Sequence, residues 1–362
     1  MCACLIICLS TAGCARADIL RIASYNVGLD RDGPGLLLRD ILRGDNDQIS
    51  ALTKIISQVS PDILVLQKFD YDHDLEALTA FSEALEDAGV AYPYLFARMP
   101  NAGMATGLDL DGDGYTGDAS DAQGFGRFAG NGGMAVMSKL PLQTDDMRDF
   151  SDFLWKDLPG ANQPYTSDQF TPSDMARSVQ RLSSVSHWEL PAMLPDGNIL
   201  YLWTMAAGPP VFDGPEDRNG RRNHDETVFW LRFMDGDLPF IPYGDDFILL
   251  GGFNLDPVDG GGRAGALHSL LSDPRVQDPS QSSIGGIKAS VDQGGINDSH
   301  LGDPALDTVD WPDVDGGPGN MRVDYILPSA HLNIVDSGVF WPEDGSGNEA
   351  STHRLIWVDI AF

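Results

Sequence analysis

Apolar residues recur at two different periods along this chain, and the alternation between those periods lays out its architecture. From Gln48 to Val59 the positions Ile49, Leu52, Ile55, Ile56 and Val59 fall on one stripe at helical spacing, so the stretch reads as a helix with one buried face. Asp45, Asn46 or Asp47 is available to cap its first turn, and Pro61-Asp62 ends it. Ile19–Tyr25 instead carries apolar residues at strand spacing, and Ile63–Leu66 is a short apolar run of the kind that forms a buried strand. Leu75–Ala88 is again helical. Gly133–Ser138, Leu200–Met205, Phe247–Leu250, Val323–Leu327 and Leu355–Ile360 are further strand candidates, each running into turn residues. Strands interleaved with helices over the whole length predict one α/β unit without internal repeats. Asp273–Gly319, rich in Gly, Asp, Ser and Pro, is expected to form an extended surface excursion.

Composition narrows the possibilities. A chain of 362 residues with 42% hydrophobic positions supports a sizeable core. Its 54 acidic residues face only 23 basic ones, giving a net charge of −31. Such a surface repels nucleic-acid phosphates and anionic membranes, so direct nucleic-acid binding without a metal is not expected. Cys2, Cys4, Cys8 and Cys14 are the only cysteines. They lie within or beside a short apolar run that ends in Ala15-Arg16-Ala17, a small-x-small cleavage pattern. Residues 1–17 therefore read as a signal peptide, residues 18–362 as the mature domain, and the protein as secreted or periplasmic. Cleavage before Asp18 is preferred to a lipoprotein anchor at Gly13-Cys14, because Thr11 stands where leucine is usual. No other segment is apolar enough to span a membrane.

Two polar stretches carry candidate chemistry. Asp109, Asp111 and Asp113 occupy positions 1, 3 and 5 of an acidic loop with Gly114 at position 6. That spacing wraps oxygens around Ca²⁺, with the Tyr115 carbonyl as a further ligand and Asp118 or Asp121 closing the shell. Position 12 is Ser120 where a bidentate glutamate is usual, and a metal-free acidic turn is the alternative. Arg218, Arg221, Arg222 and His224 cluster in a chain poor in arginine and could hold a phosphate. Pairing with the neighbouring Asp213, Glu216, Asp217, Asp225 and Glu226 is the competing reading.

Four further segments are Arg21-Ile-Ala-Ser-Tyr-Asn26, Leu64-Val-Leu-Gln67-Lys68, Leu249-Leu-Gly-Gly252-Phe-Asn254, and Arg322-Val-Asp324-Tyr-Ile-Leu followed by Ser351-Thr352-His353. Together they resemble the endonuclease/exonuclease/phosphatase family over about residues 18–362. The resemblance implies a four-layer α-β-β-α sandwich of two mixed sheets flanked by helices. It also implies strand tips that gather around Mg²⁺ or Mn²⁺ and a phosphoester. By that resemblance Asn26 is the asparagine adjacent to metal and water, and Asn254 contacts substrate phosphate. Asp324 orients the active-site histidine, His353.

Several positions depart from the family pattern. Lys68 stands where a metal-binding glutamate is expected, and Gly252 where an aspartate would serve as general base. Thr352 replaces the aspartate before the histidine, and Ala206-Ala207-Gly208 lies where a histidine is usual. Asp70 and Asp72 are candidates for relocated metal ligands. Three readings follow. The first is an exported family member whose phosphoester hydrolysis is weak or lost, binding a phosphoester-containing small molecule or none. The second is an active metal-dependent phosphodiesterase, and the third a secreted calcium-stabilised binding protein. Fold alone does not choose between them.

Overall fold

The computed structural model describes residues 19–164, 173–314 and 316–362. The expected signal peptide, residues 1–17, lies outside the described residues. In chain order the strands are β1 (Ile19–Leu29), β2 (Ile63–Phe69), β3 (Tyr94–Ala97), β4 (Gly133–Ser138), β5 (Arg148–Asp149), β6 (His187–Met193) and β7 (Ile199–Ala206). They continue with β8 (Phe247–Gly252), β9 (Val309–Asp310), β10 (Asn320–Met321), β11 (Asp324–Pro328), β12 (Asn333–Phe340) and β13 (Leu355–Ala361). The α-helices are α1 (Leu36–Arg43), α2 (Asp47–Val59), α3 (Glu76–Asp87), α4 (Asp174–Val179), α5 (Arg218–Asp235), α6 (Gly265–Leu271) and α7 (Ile284–Gln293).

Two sheets carry the molecule. One has the order β12-β13-β1-β2-β4-β3 and the other β11-β8-β7-β6-β5. Both are mixed: β1 runs parallel to β2 and β7 parallel to β8, while their other neighbours are antiparallel. The period-2 pattern explains how each strand serves two layers. In β1, Leu20 and Ile22 enter the layer between the sheets, whereas Ala23, Tyr25 and Val27 face the helices α1, α2 and α3. In β7, Leu200 and Leu202 face the first sheet, whereas Trp203 and Met205 pack under α5 and α6. Helices thus cover both outer faces, the four-layer sandwich that the resemblance implied. Asn46 caps α2 by accepting a hydrogen bond from the Ile49 N–H at 3.1 Å, which resolves the choice among the three capping candidates.

One expectation needs correction. Asp273–Gly319 is not a plain surface excursion. It contains α7 and β9, and its Thr308 is buried. Gly and Asp enrichment reflects the short turns that connect these pieces, and α7 begins at Ser283, whose hydroxyl accepts from the Gly286 N–H.

Candidate functional site

The layer between the sheets is apolar for most of its length and turns polar at one end. Continuing the inward faces of the strands brings Ser24 and Asn26 from β1, Gln67 from β2, Thr204 from β7, Gly252 from β8 and Asp324 from β11 to that end. Residues with strand-forming neighbours are thus delivered, by alternation alone, to one edge of the sandwich.

His353 lies just before β13 and is buried there. Its Nδ1 is 2.7 Å from Asp324 Oδ2, and its Nε2 is 3.3 Å from Asn26 Nδ2. The carboxylate accepts from Nδ1–H, which leaves Nε2 to accept from the asparagine amide. Asn26 Oδ1 in turn accepts from the Gly28 N–H at 3.3 Å. Ser351 supports both ends: its hydroxyl donates to the Asn26 carbonyl at 2.7 Å and accepts from the His353 N–H at 3.1 Å. Thr308 donates to Asp324 Oδ2 at 3.0 Å and accepts from the N–H groups of Val323 and Asp324. Trp311 and the imidazole meet in a T-shaped contact, with ring centroids 5.6 Å apart.

Asn254 reaches the same edge by a different route. It follows β8 in a left-handed conformation, φ 51°. Its backbone N–H bonds to the carbonyl of Val323, and its side chain donates to the Ala207 carbonyl at 2.6 Å. It therefore ties the loop after β8 to the loop after β7. Gly252 sits opposite Asp324 in the ladder. A Cβ at position 252 would lie 3.5 Å from Asp324 Oδ1, a buried oxygen without a hydrogen-bond partner.

Lys68 is the bulged residue at the tip of β2. The register slips around it on both neighbouring strands, and its φ is 57°. Its ammonium lies 3.7 Å from Asp30 Oδ2. Asp70 and Asp72 do not replace the missing carboxylate. Asp70 Oδ2 accepts from the Arg31 N–H, and Oδ1 accepts from the Gly132 N–H and the Asn131 amide, all within 3.0 Å. Burial pushes its carboxyl above the usual range. Asp72 caps α3 through the N–H groups of Glu76 and Ala77. Both carboxylates are committed to backbone donors, which a turn needs as much as a metal would.

The arginine cluster is likewise structural. Arg222 is buried and donates to the carbonyls of Leu182, Gln123, Arg181 and Ser183 at 2.5–3.0 Å. Arg218 donates to the Leu110 carbonyl, Arg221 to Glu216 O and Asn162 Oδ1, and His224 pairs with Asp225 at 2.9 Å. These four do not form an open phosphate cradle. Sequence reasoning missed their neighbours instead. Asn223 donates to the carbonyls of Gly208 and Phe253. Glu226 accepts from the N–H groups of Ser184 at 2.5 Å and Gly208 at 2.9 Å, and burial pushes its carboxyl up to about 7. One face of α5 thus pins the loops that shape the site.

Divalent metals need anionic oxygen or imidazole ligands in a tight group. Among the described residues such groups occur only in the acidic loop, as Asp109, Asp111 and Asp121, and as Asp111, Asp113 and Asp118. Burial and the neighbouring carboxylates raise the Asp111 carboxyl, as expected where like charges converge. Asp121 also accepts from the Leu110 and Gly117 N–H groups. This loop has the oxygens to hold a metal ion. The strand tips, with Lys68 at the expected ligand position and Gly252 at that of the expected general base, do not fit one.

Comparison with known proteins agrees with this geometry. No curated protein matches the chain. Among solved structures it is similar to an endonuclease/exonuclease/phosphatase from Beutenbergia cavernae, with a TM-score of 0.56 and 14% identity, covering 96% of this chain and 72% of that one. It is also similar to a family protein from Leptotrichia buccalis, with a TM-score of 0.52 and 17% identity over 95% of this chain and 100% of that one. At these identities the likeness concerns the fold. The sequence itself matches the profile of the endonuclease/exonuclease/phosphatase family over residues 23–353. That span runs from the first strand to the histidine held by Asp324, and the chain belongs to this family.

Proposed function

We propose that this protein recognises a phosphoester-bearing small molecule at the strand tips, and that its metal-dependent hydrolysis is weak or lost. One observation carries the reading. The Asn26–His353–Asp324 chain is intact, while positions 68 and 252 offer no carboxylate for a metal or for activating water. With Nδ1 held by Asp324, an imidazole protonated at Nε2 can still donate to a phosphoryl oxygen. Without a metal-bound or base-activated nucleophile, turnover falls by orders of magnitude. The test is hydrolysis of bis-p-nitrophenyl phosphate with Mg²⁺ or Mn²⁺. Turnover at or near background is expected, rising when Lys68→Glu and Gly252→Asp are combined. Turnover of about 1–10 per second in the unaltered protein, abolished by His353→Ala, would instead establish an active hydrolase.

A calcium-binding role for the acidic loop is supported by its two carboxylate groups. The hydrogen bond from Arg218 to Leu110 fastens that loop to α5, so an ion there would stiffen a long connection. Export, as the leading segment implies, would expose it to the calcium levels that weak extracellular sites use. Chelator should lower the melting temperature, Ca²⁺ should restore it, and Asp111→Ala should remove the response. A melting temperature indifferent to chelator would overturn this assignment.

A further inference from the structure

The mismatch between the strand tips and a divalent metal has a positive side. In the family pattern the three positions held here by Lys68, Gly252 and Thr352 are acidic, and together with one divalent ion they sum to a single negative charge. In this chain the same three positions sum to a single positive charge with no ion at all. The substitutions therefore do more than delete ligands. They leave a local cation in a protein whose overall charge is −31, at an edge where any bound anion must otherwise overcome that field.

The geometry of Lys68 fits this role. It follows Gln67, the residue paired with Asn26 across β1 and β2. It is held in a left-handed conformation that is costly for a residue with a side chain, and the bulge lifts it out of the ladder on both sides. Its side chain is 52% exposed. Asp30 is its nearest anion, and at 3.7 Å that contact is longer than a hydrogen bond. Gly132 leaves the space beside it, since a Cβ there would come within 3.2 Å of Lys68 Cδ. Asn26 stands on the adjacent strand β1, and it and the His353 it contacts are buried and already ordered by Asp324, Thr308 and Ser351.

We propose that the strand-tip site is a metal-independent oxyanion site in which the Lys68 ammonium takes the place of the divalent cation and binds a phosphate monoester or inorganic phosphate. Lys68 exchanges Asp30 for the ligand, and the ligand remains unchanged. This inference rests on the phosphoester reading above.

Inorganic phosphate and phenyl phosphate are each titrated by calorimetry, first with EDTA and then with Mg²⁺ or Mn²⁺ in its place. The unaltered protein should bind both, with no gain from Mg²⁺ or Mn²⁺. Lys68→Met should weaken binding at least tenfold, Lys68→Arg should retain most of it, and Asp30→Asn should tighten it by removing the competing carboxylate. Lys68→Gly, which relieves the backbone, guards against misfolding: it should be at least as stable as the unaltered protein and should also lose the anion. Binding that survives Lys68→Met, or that appears only with a divalent ion, overturns the role of the lysine and leaves the phosphoester reading standing. No binding of phosphate, phenyl phosphate or bis-p-nitrophenyl phosphate under any ionic condition removes both.

Discussion

Replacing Asp307 by asparagine should make the protein more stable, and increasingly so as pH rises. Asp307 precedes the threonine that supports Asp324, is 8% exposed, and has its carboxyl pushed up to about 8. Burial is the main cause, followed by the charges of Asp256, Asp259 and Asp303. No hydrogen bond opposes these effects. The group is therefore neutral in the folded protein at pH 6 but ionised in the unfolded chain, where its value is near 3.8. Folding takes up a proton throughout that window. The stabilisation is complete below about pH 4, falls as pH rises, and is exhausted above about pH 8. At about 1.4 kcal/mol per pH unit, the ceiling between pH 5 and 8 is about 4 kcal/mol, and relaxation around a charged carboxylate could halve it. Asparagine keeps the shape and removes the titration. Urea unfolding of both proteins from pH 5 to 9 should show the asparagine variant gaining about 2–4 kcal/mol over the unaltered protein by pH 8, then a constant difference. A difference independent of pH would refute the assignment.

Further outcomes are expected elsewhere. Arg222→Met should cost about 3–5 kcal/mol in denaturant unfolding, because the carbonyls of Leu182, Gln123 and Arg181 lose their donor and Glu226 loses its compensating cation. Thr308→Val should cost about 1–3 kcal/mol by removing the donor to Asp324, and should weaken phosphate binding measured by calorimetry, because the imidazole loses its fixed support. Gly251→Ala should reduce soluble, folded protein on expression: its Cβ would lie 1.9 Å from the Met205 carbonyl oxygen, at φ 143°.

Legibility followed the physics of each position. Asn26, Asp324 and His353 could be read through the family resemblance, whose segments keep their order along the chain, and Asp324 and His353 do meet at the sheet edge. The stripe that forms α2 was equally plain. In α5 the inward face is Arg222, Asn223 and Glu226, so a search for apolar periodicity finds no buried helix there and reads the charges as solvent-facing. Thr308 gave no signal, since a hydroxyl inside a Gly- and Asp-rich run resembles any turn residue. Asp70 and Asp72 show the converse difficulty. A carboxylate offers the same oxygens to a metal and to a chain of N–H groups, and only coordinates separate those partners.

The pairing of Asn26 with His353 joins positions 327 residues apart. Strand β1 lies between β2 and β13, so it acquires a neighbour on one side early and waits for the other until Leu355–Ala361 has been made. At ordinary ribosomal speeds that delay is about half a minute. Throughout it, an apolar strand presents one unsatisfied row of backbone groups to the surrounding cell. Nascent chains of this protein are accordingly vulnerable to self-association until β13 emerges, and holdase chaperones or export in an unfolded state would protect them during that interval.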